Sequence, residues 1–244
     1  ASILSTAAPL MVGWTALLPG GWRLALGLAA LAPFLMLFGL GKARPPQNAS
    51  TQAASMTGGR LPALFWVYWA AIVLSVAVEF CLISWSADFL EKALSLPLTE
   101  AAKAVSLFLA AMIVGRMAIS RLVQRFPVRS VVLVSILTAS LGFGLFWLSG
   151  AVIPSLAGLF LAGLGVAGLY PLLLSLALGV AGNNTTQASA RTTLASGTAI
   201  LSLPLALGRL ADLVGIQSAY AIVGVLLAGV FLIVLLAGRR AQAA

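Results

Sequence analysis

One carboxylate stands apart from the rest of the chain. The stretch from Leu61 to Asp88, LPALFWVYWAAIVLSVAVEFCLISWSAD, is almost uniformly apolar, and Glu79 is the only charge inside it. As a helix it rises about 42 Å, more than the roughly 30 Å hydrocarbon core of a bilayer. With Asp88 at the edge of the hydrocarbon, Glu79 lies roughly 14 Å inside, close to the midplane. An ionised carboxyl there costs on the order of several kcal/mol unless it meets a cavity, a partner or a proton. At 100° per residue, Tyr68, Ser75, Glu79 and Ser86 fall within about 40° of one another. They form one polar stripe on an otherwise greasy helix. Two readings of the stripe stand. In one it faces a cavity, and Glu79 binds a proton or hydrogen-bonds a solute. In the other a protonated Glu79 is bonded to a neighbouring backbone or to a serine.

Tyr170-Pro171 interrupts a second apolar run. Pro171 has no amide hydrogen for the carbonyl of Ala167, so a kink and a freed acceptor are expected there. Tyr170 then either presents its hydroxyl to a central cavity or packs on another helix. Pro204 interrupts a later run and has the same two readings. No histidine is present and Cys81 is the single cysteine. The usual general base and the usual metal ligands are therefore missing. No metal, cofactor or catalytic residue is expected, and the chain does not read as an enzyme.

The elements that must carry these residues follow from composition. The chain is 61% hydrophobic and 8% charged, whereas soluble domains carry about 25% charged residues. Only lipid solvation makes such a chain tolerable, so the fold class is all-α membrane protein. Eight apolar spans are expected, near residues 2–18, 23–41, 61–87, 100–120, 129–148, 154–181, 192–208 and 217–237. Thr99 is the expected cap of the fourth. Residues 1–41 hold two spans, the Pro-rich polar stretch 42–60 is a linker, and 61–244 hold six. Gly158, Ala162, Gly163 and Ala167 offer small-residue pairs for close helix packing. Trp66, Trp69, Trp85 and Trp147 fall near span ends, as an interfacial belt requires.

Net charge is +9, which in a soluble chain would suggest nucleic acid. Here the basic residues are confined to loops. Alternate loops hold Lys42, Arg44 and Arg60; Arg116, Arg121, Arg125 and Arg129; Arg191; and Arg239 and Arg240, ten of the fourteen in all. The other loops hold Asp88, Glu91, Glu100 and Asp212. The positive-inside rule puts the first set in the cytoplasm, with both ends of the chain. The Asn-x-Ser/Thr matches at Asn48, Asn183 and Asn184 then lie on the cytoplasmic side, where no glycan is added. The bilayer and a small solute are the expected partners, and nucleic acid is not.

Gly115-Arg116 and Gly208-Arg209 lie 93 residues apart, and Pro62 and Pro154 lie 92 apart. The last six spans thus divide into two triplets of matching length. Three is odd, so the second triplet is inverted relative to the first, as in many secondary transporters.

These pieces, in this order, resemble the major facilitator superfamily. Gly21-Trp22-Arg23 is similar to the family's outer loop between its fifth and sixth helices. A polar linker and six spans follow it. Gly115-Arg116 with Arg121 and Arg125 resembles the basic motif after the eighth helix. GLGVAGLYPLLLSLALG, residues 163–179, resembles the tenth helix of the fucose-permease-like branch, and LPLALGRLADLVG, residues 203–215, the end of the eleventh. The resemblance implies a six-helix C-terminal half preceded by the last two helices of an N-terminal half. It implies that four further helices belong to the same protein and that these 244 residues do not transport unaided. Ala1 opens directly into an apolar run, without methionine or signal peptide, as expected of a piece or a processed product. The resemblance also implies alternating access and a cytoplasmic gate at Gly115, Arg116, Arg121 and Arg125. Anionic lipid is the simpler occupant for those arginines, and no carboxylate partner is evident in the loops on their side.

Secondary transport of a small solute in a cell membrane is therefore the expected function, with a sugar or other polar metabolite favoured and proton coupling through Glu79. Efflux of hydrophobic, drug-like compounds is the alternative within the fold. Pro9 and Gly13 match only part of the fifth-helix antiporter motif, whose other glycines are replaced by Leu4, Ala8 and Val12. A pore or a non-transporting membrane partner is the alternative from another class. A pore calls for rings of charge or a filter sequence, and neither is visible.

Overall fold

The computed structural model describes residues 60–242. Spans one and two, most of the linker, Pro9, Gly13 and Gly21-Trp22-Arg23 lie outside the described residues. Eight α-helices follow in order: α1 Ala63–Leu94, α2 Leu98–Leu122, α3 Val128–Leu148, α4 Val152–Val166, α5 Leu169–Ala181, α6 Thr185–Val214, α7 Ile216–Ala219 and α8 Ala221–Gln242. A 3-10 turn, Gly182–Asn184, joins α5 to α6.

Proline sets three of the starts. Pro62, Pro97 and Pro127 immediately precede α1, α2 and α3, where a missing amide is harmless. Thr99 is already the second residue of α2 rather than its cap. Two of the stops use positive-φ backbone. Ser95 closes α1 at φ +56, and Gly215 closes α6 at φ +81. Two helices outrun their apolar spans. α1 continues to Leu94, where Lys92 pairs with Asp88 one turn back at 3.1 Å. α6 begins at Thr185, inside what reads as a polar loop. No glycine or proline lies between Thr185 and Arg191, so the helix runs on once it leaves the hydrocarbon.

Five helical stretches are long and apolar enough to cross a membrane, and one of them, Val152–Val214, contains α4, α5 and α6. The contacts show that it doubles back. Trp69 and Trp85 of α1 donate to the carbonyls of Arg191 and Pro204 on α6, each at 2.9 Å, so α1 and α6 run parallel. Phe108 faces Gly163, and Ile119 faces Gly168, so α2 runs parallel to α4. Trp147 and Gln217 exchange hydrogen bonds of 2.8 and 3.1 Å, and Arg129 donates to Leu235 at 3.3 Å, so α3 and α8 are antiparallel. Six crossings result among the described residues, α4 with α5 and α7 with α8 each counting once.

The packing has the inverted symmetry that the spacing implies. α1 packs on α6 as α4 packs on α2, and α1 packs on α8 as α4 packs on α3. The two Gly-Arg glycines occupy corresponding crossings. A Cβ on Gly115 would lie 2.7 Å from the carbonyl oxygen of Leu164, and one on Gly208 would run into the Trp85 ring. The tightest seam joins α3 to α4. Gly142, Gly158 and Gly165 each bring backbone against backbone there, while Gly163 serves α2 instead. In lipid such contact, rather than the hydrophobic effect, holds helices together.

Gly142 and Gly144 therefore make a matched pair of probes. Gly142→Leu forces α3 away from Ala162, a cost of about 2 kcal/mol, and should lower the thermal midpoint in detergent by several degrees. Gly144→Leu, with no atom within 4 Å of its Cβ position, should leave the midpoint nearly unchanged.

Candidate functional site

α1 carries Glu79 at its middle, with about nine turns of helix split either side of it. The stripe that the spacing predicts is real, but most of it is buried within the bundle. Tyr68, Ser75 and Ser86 are buried, and Glu79 keeps 17% of its side-chain surface. The Ser75 hydroxyl donates to Ile72 on its own helix at 3.0 Å. The Ser86 hydroxyl is buried with no hydrogen-bond partner among the described residues. Neither serine reaches Glu79 by any hydrogen bond that the structure shows.

What meets the carboxylate comes from α2. Arg116 Nη2 lies 4.0 Å from Glu79 Oε1. That is beyond hydrogen-bond length but well within Coulomb range. At an effective dielectric near 20, opposite charges about 4 Å apart attract by about 4 kcal/mol before desolvation is subtracted. Arg116 reaches this depth because it precedes the end of α2 by six residues. Its neighbour Gly115 lets α2 close onto α4.

Arg116 has a second anchor. Its Nε donates to the carbonyl of Ala167 at 3.3 Å. This is the acceptor that Pro171 releases. The apolar run 154–181 breaks between α4 and α5 at Ala167-Gly168, four residues before the proline. The Ala167 amide still donates to Gly163, and the Leu172 amide to Gly168. The Ala167 carbonyl thus lies outside the helical ladder, and the guanidinium takes it. The site is a chain of three groups: the carboxylate on α1, the guanidinium on α2 and the Ala167 carbonyl in the break between α4 and α5. Tyr170 is half-buried beside the break and Pro171 is exposed.

Other sequence candidates fall elsewhere. Arg121 and Arg125 are exposed at the end of α2, away from Glu79. Pro204 sits in α6 and offers its carbonyl to Trp85. Arg209 and Asp212, one turn apart, are not among the ion pairs of the described residues, which are Lys92–Asp88, Lys103–Glu100 and Arg116–Glu79. Trp69 and Trp147 sit near helix ends, while Trp85 lies nine residues before the end of α1; each spends its indole N–H on a neighbouring helix. A cavity of about 340 Å³ opens at the acidic end of the bundle, lined by Trp85, Asp88, Lys92, Asp212 and Gln217 among others. It does not include Glu79. No group of three metal-ligating side chains occurs among the described residues.

Six apolar crossings with inverted packing agree with the comparisons. The profile of the Major Facilitator Superfamily matches residues 67–244. The chain belongs to this superfamily. A crystal structure of a superfamily transporter, FucP, in the outward conformation superposes with a TM-score of 0.69 at 16% identity, covering 88% of this chain and 56% of that one. The E. coli fucose:proton symporter FucP, in a single-substitution form, gives 0.66 at 15% identity over 88% and 57%. At such identities the likeness is one of fold. The chain spans a little over half the length of either transporter. No curated protein matches it.

Sequence reasoning missed that Arg116 is the partner of Glu79. The available signal was the depth of Arg116 inside an apolar run, combined with the glycine beside it. The pairing predicts non-additive stabilities. Arg116→Ala strands a carboxylate at mid-depth and should cost about 2 kcal/mol. Adding Glu79→Gln should recover part of that loss, with a coupling of about 1 kcal/mol read from thermal midpoints in a double-mutant cycle.

Proposed function

We propose that this chain forms part of a secondary active transporter that moves a small polar solute by alternating access. The contact that carries the reading is Arg116 against Glu79 beside the broken span. A charge pair at membrane depth is expensive, and membrane proteins keep such groups at ion and substrate paths. The half-helix ends at Ala167-Gly168 supply the discontinuity around which transporter sites are built.

In this reading Glu79 takes up a proton on one side of the membrane and gives it up on the other. Arg116 stands 4.0 Å away as its counter-charge, and a proton or solute group competes with it. Tyr170 offers a hydroxyl near the same break. Tyr68, Ser75 and Ser86 form the packed wall behind the carboxylate rather than direct contacts. Gly115 and Arg116, with Arg121 and Arg125 beyond them, belong to the gate at the basic end. That end faces the cytoplasm of a cell membrane by the positive-inside rule. A sugar or related polyol is the favoured solute, because FucP, one of the solved folds it is similar to, is described as a fucose:proton symporter.

The test uses the full natural protein in proteoliposomes. Glu79→Gln keeps the shape of the side chain and removes its titration. Accumulation driven by a proton gradient should fall towards simple equilibration, far more than solute counterflow falls. Unchanged accumulation with normal counterflow would place the coupling group elsewhere.

A further inference from the structure

We infer that Pro171 is a positioning residue whose absent amide holds Arg116 against Glu79. This rests on the reading of Glu79 as the coupling group and deepens it. An ordinary residue at 171 would donate its N–H to Ala167 O and close the helical ladder. Proline cannot, so the Ala167 carbonyl stays available and Arg116 Nε takes it at 3.3 Å. The backbone is brought close enough by two glycines. Gly115 faces Leu164 and Ala167 from α2, and Gly168, in the break before α5, faces the Ile119 side chain. A Cβ on Gly115 would strike the Leu164 backbone, push the two helices apart and draw the guanidinium off the carbonyl.

The geometry separates two jobs on one side chain. Nε is committed to a fixed backbone group, while Nη2 points at a carboxylate whose charge is free to change. A guanidinium does both through separate nitrogens held in one rigid plane, whereas an ammonium carries all its donors on a single nitrogen and has no counterpart of Nε to leave at the carbonyl. When Glu79 is neutral the cation keeps its carbonyl and its place. When Glu79 ionises, its counter-charge is already there and no side chain has to be recruited. Pro171 thereby lowers the reorganisation that each cycle demands, although it touches neither proton nor solute.

The experiment again uses the full natural protein, with two readouts. The first is the thermal midpoint in detergent. Pro171→Ala and Arg116→Lys each remove the link to Ala167, so the double variant should be no less stable than the worse single one. Pro204→Ala is the control. It restores an amide in α6, and its effect should add in full to that of Arg116→Lys. The second readout is the ratio of proton-driven accumulation to counterflow. Pro171→Ala should lower it about tenfold, the factor that about 1.4 kcal/mol produces, and should lower it no further in the Arg116→Lys background. Pro171→Gly, which also carries an amide, should behave as Pro171→Ala does.

Full additivity of Pro171→Ala with Arg116→Lys in the thermal midpoint overturns the inference. So does a normal ratio in Pro171→Ala when Glu79→Gln depresses it. Non-additive midpoints with a ratio indifferent to Glu79→Gln leave the Pro171 anchor standing and count instead against Glu79 as the coupling group.

Discussion

The interior of this bundle is almost entirely apolar, so a charge survives in it only where another group comes to meet it. That constraint organises the middle of the structure. Glu79 needs a cation, and Arg116 supplies one from the adjacent helix. Arg116 in turn donates to the Ala167 carbonyl, a second partner on another element. The carbonyl is available only because Pro171 breaks the ladder. α2 approaches that carbonyl closely because Gly115 has no side chain to strike the Leu164 backbone. Replacing Arg116 would take from Glu79 and from the Ala167 carbonyl the cation that each meets here, and a buried polar group without a partner is costly.

Packing around this core follows a division of labour among small residues. On α4, Gly158 and Gly165 meet α3, whereas Gly163 meets α2. One helix is thereby close-packed on two sides and sits at the centre of its neighbours. α3 presents Val134, Leu137, Leu141, Leu145 and Leu148 outward, the composition expected of a helix that meets lipid. The corresponding crossings in the two triplets, at Gly115 and Gly208, show that the repeat is a repeat of contacts and not only of span lengths.

Periodicity revealed much of the fold and part of the site. Span number after the linker, the inverted triplets, the break before Pro171 and the freed acceptor on Ala167 all follow from local rules about length, proline and charge. The partner of the acceptor and of Glu79 did not. Arg116 and Glu79 are brought together by the register of α2 against α1, and register depends on packing that no single helix encodes. Helical phase likewise put Tyr68, Ser75, Glu79 and Ser86 on one face without saying where that face points. The structure turns most of it inward, so that Ser75 bonds its own backbone. Helix ends slipped for a simpler reason. Hydrophobicity marks where lipid stops, and α1 and α6 both remain helical in water beyond that point.

Two tryptophans have a mechanical consequence. Trp69 and Trp85 lie sixteen residues apart on α1, roughly 24 Å along the axis, and both are tied to the backbone of α6. Arg191 adds its guanidinium over the Trp66 ring near one of the ties. Two rods pinned at both ends cannot slide or splay independently. The pair is a splint, and bending in this bundle falls to other helices, such as the run α4–α5, whose ladder is already interrupted at Ala167-Gly168.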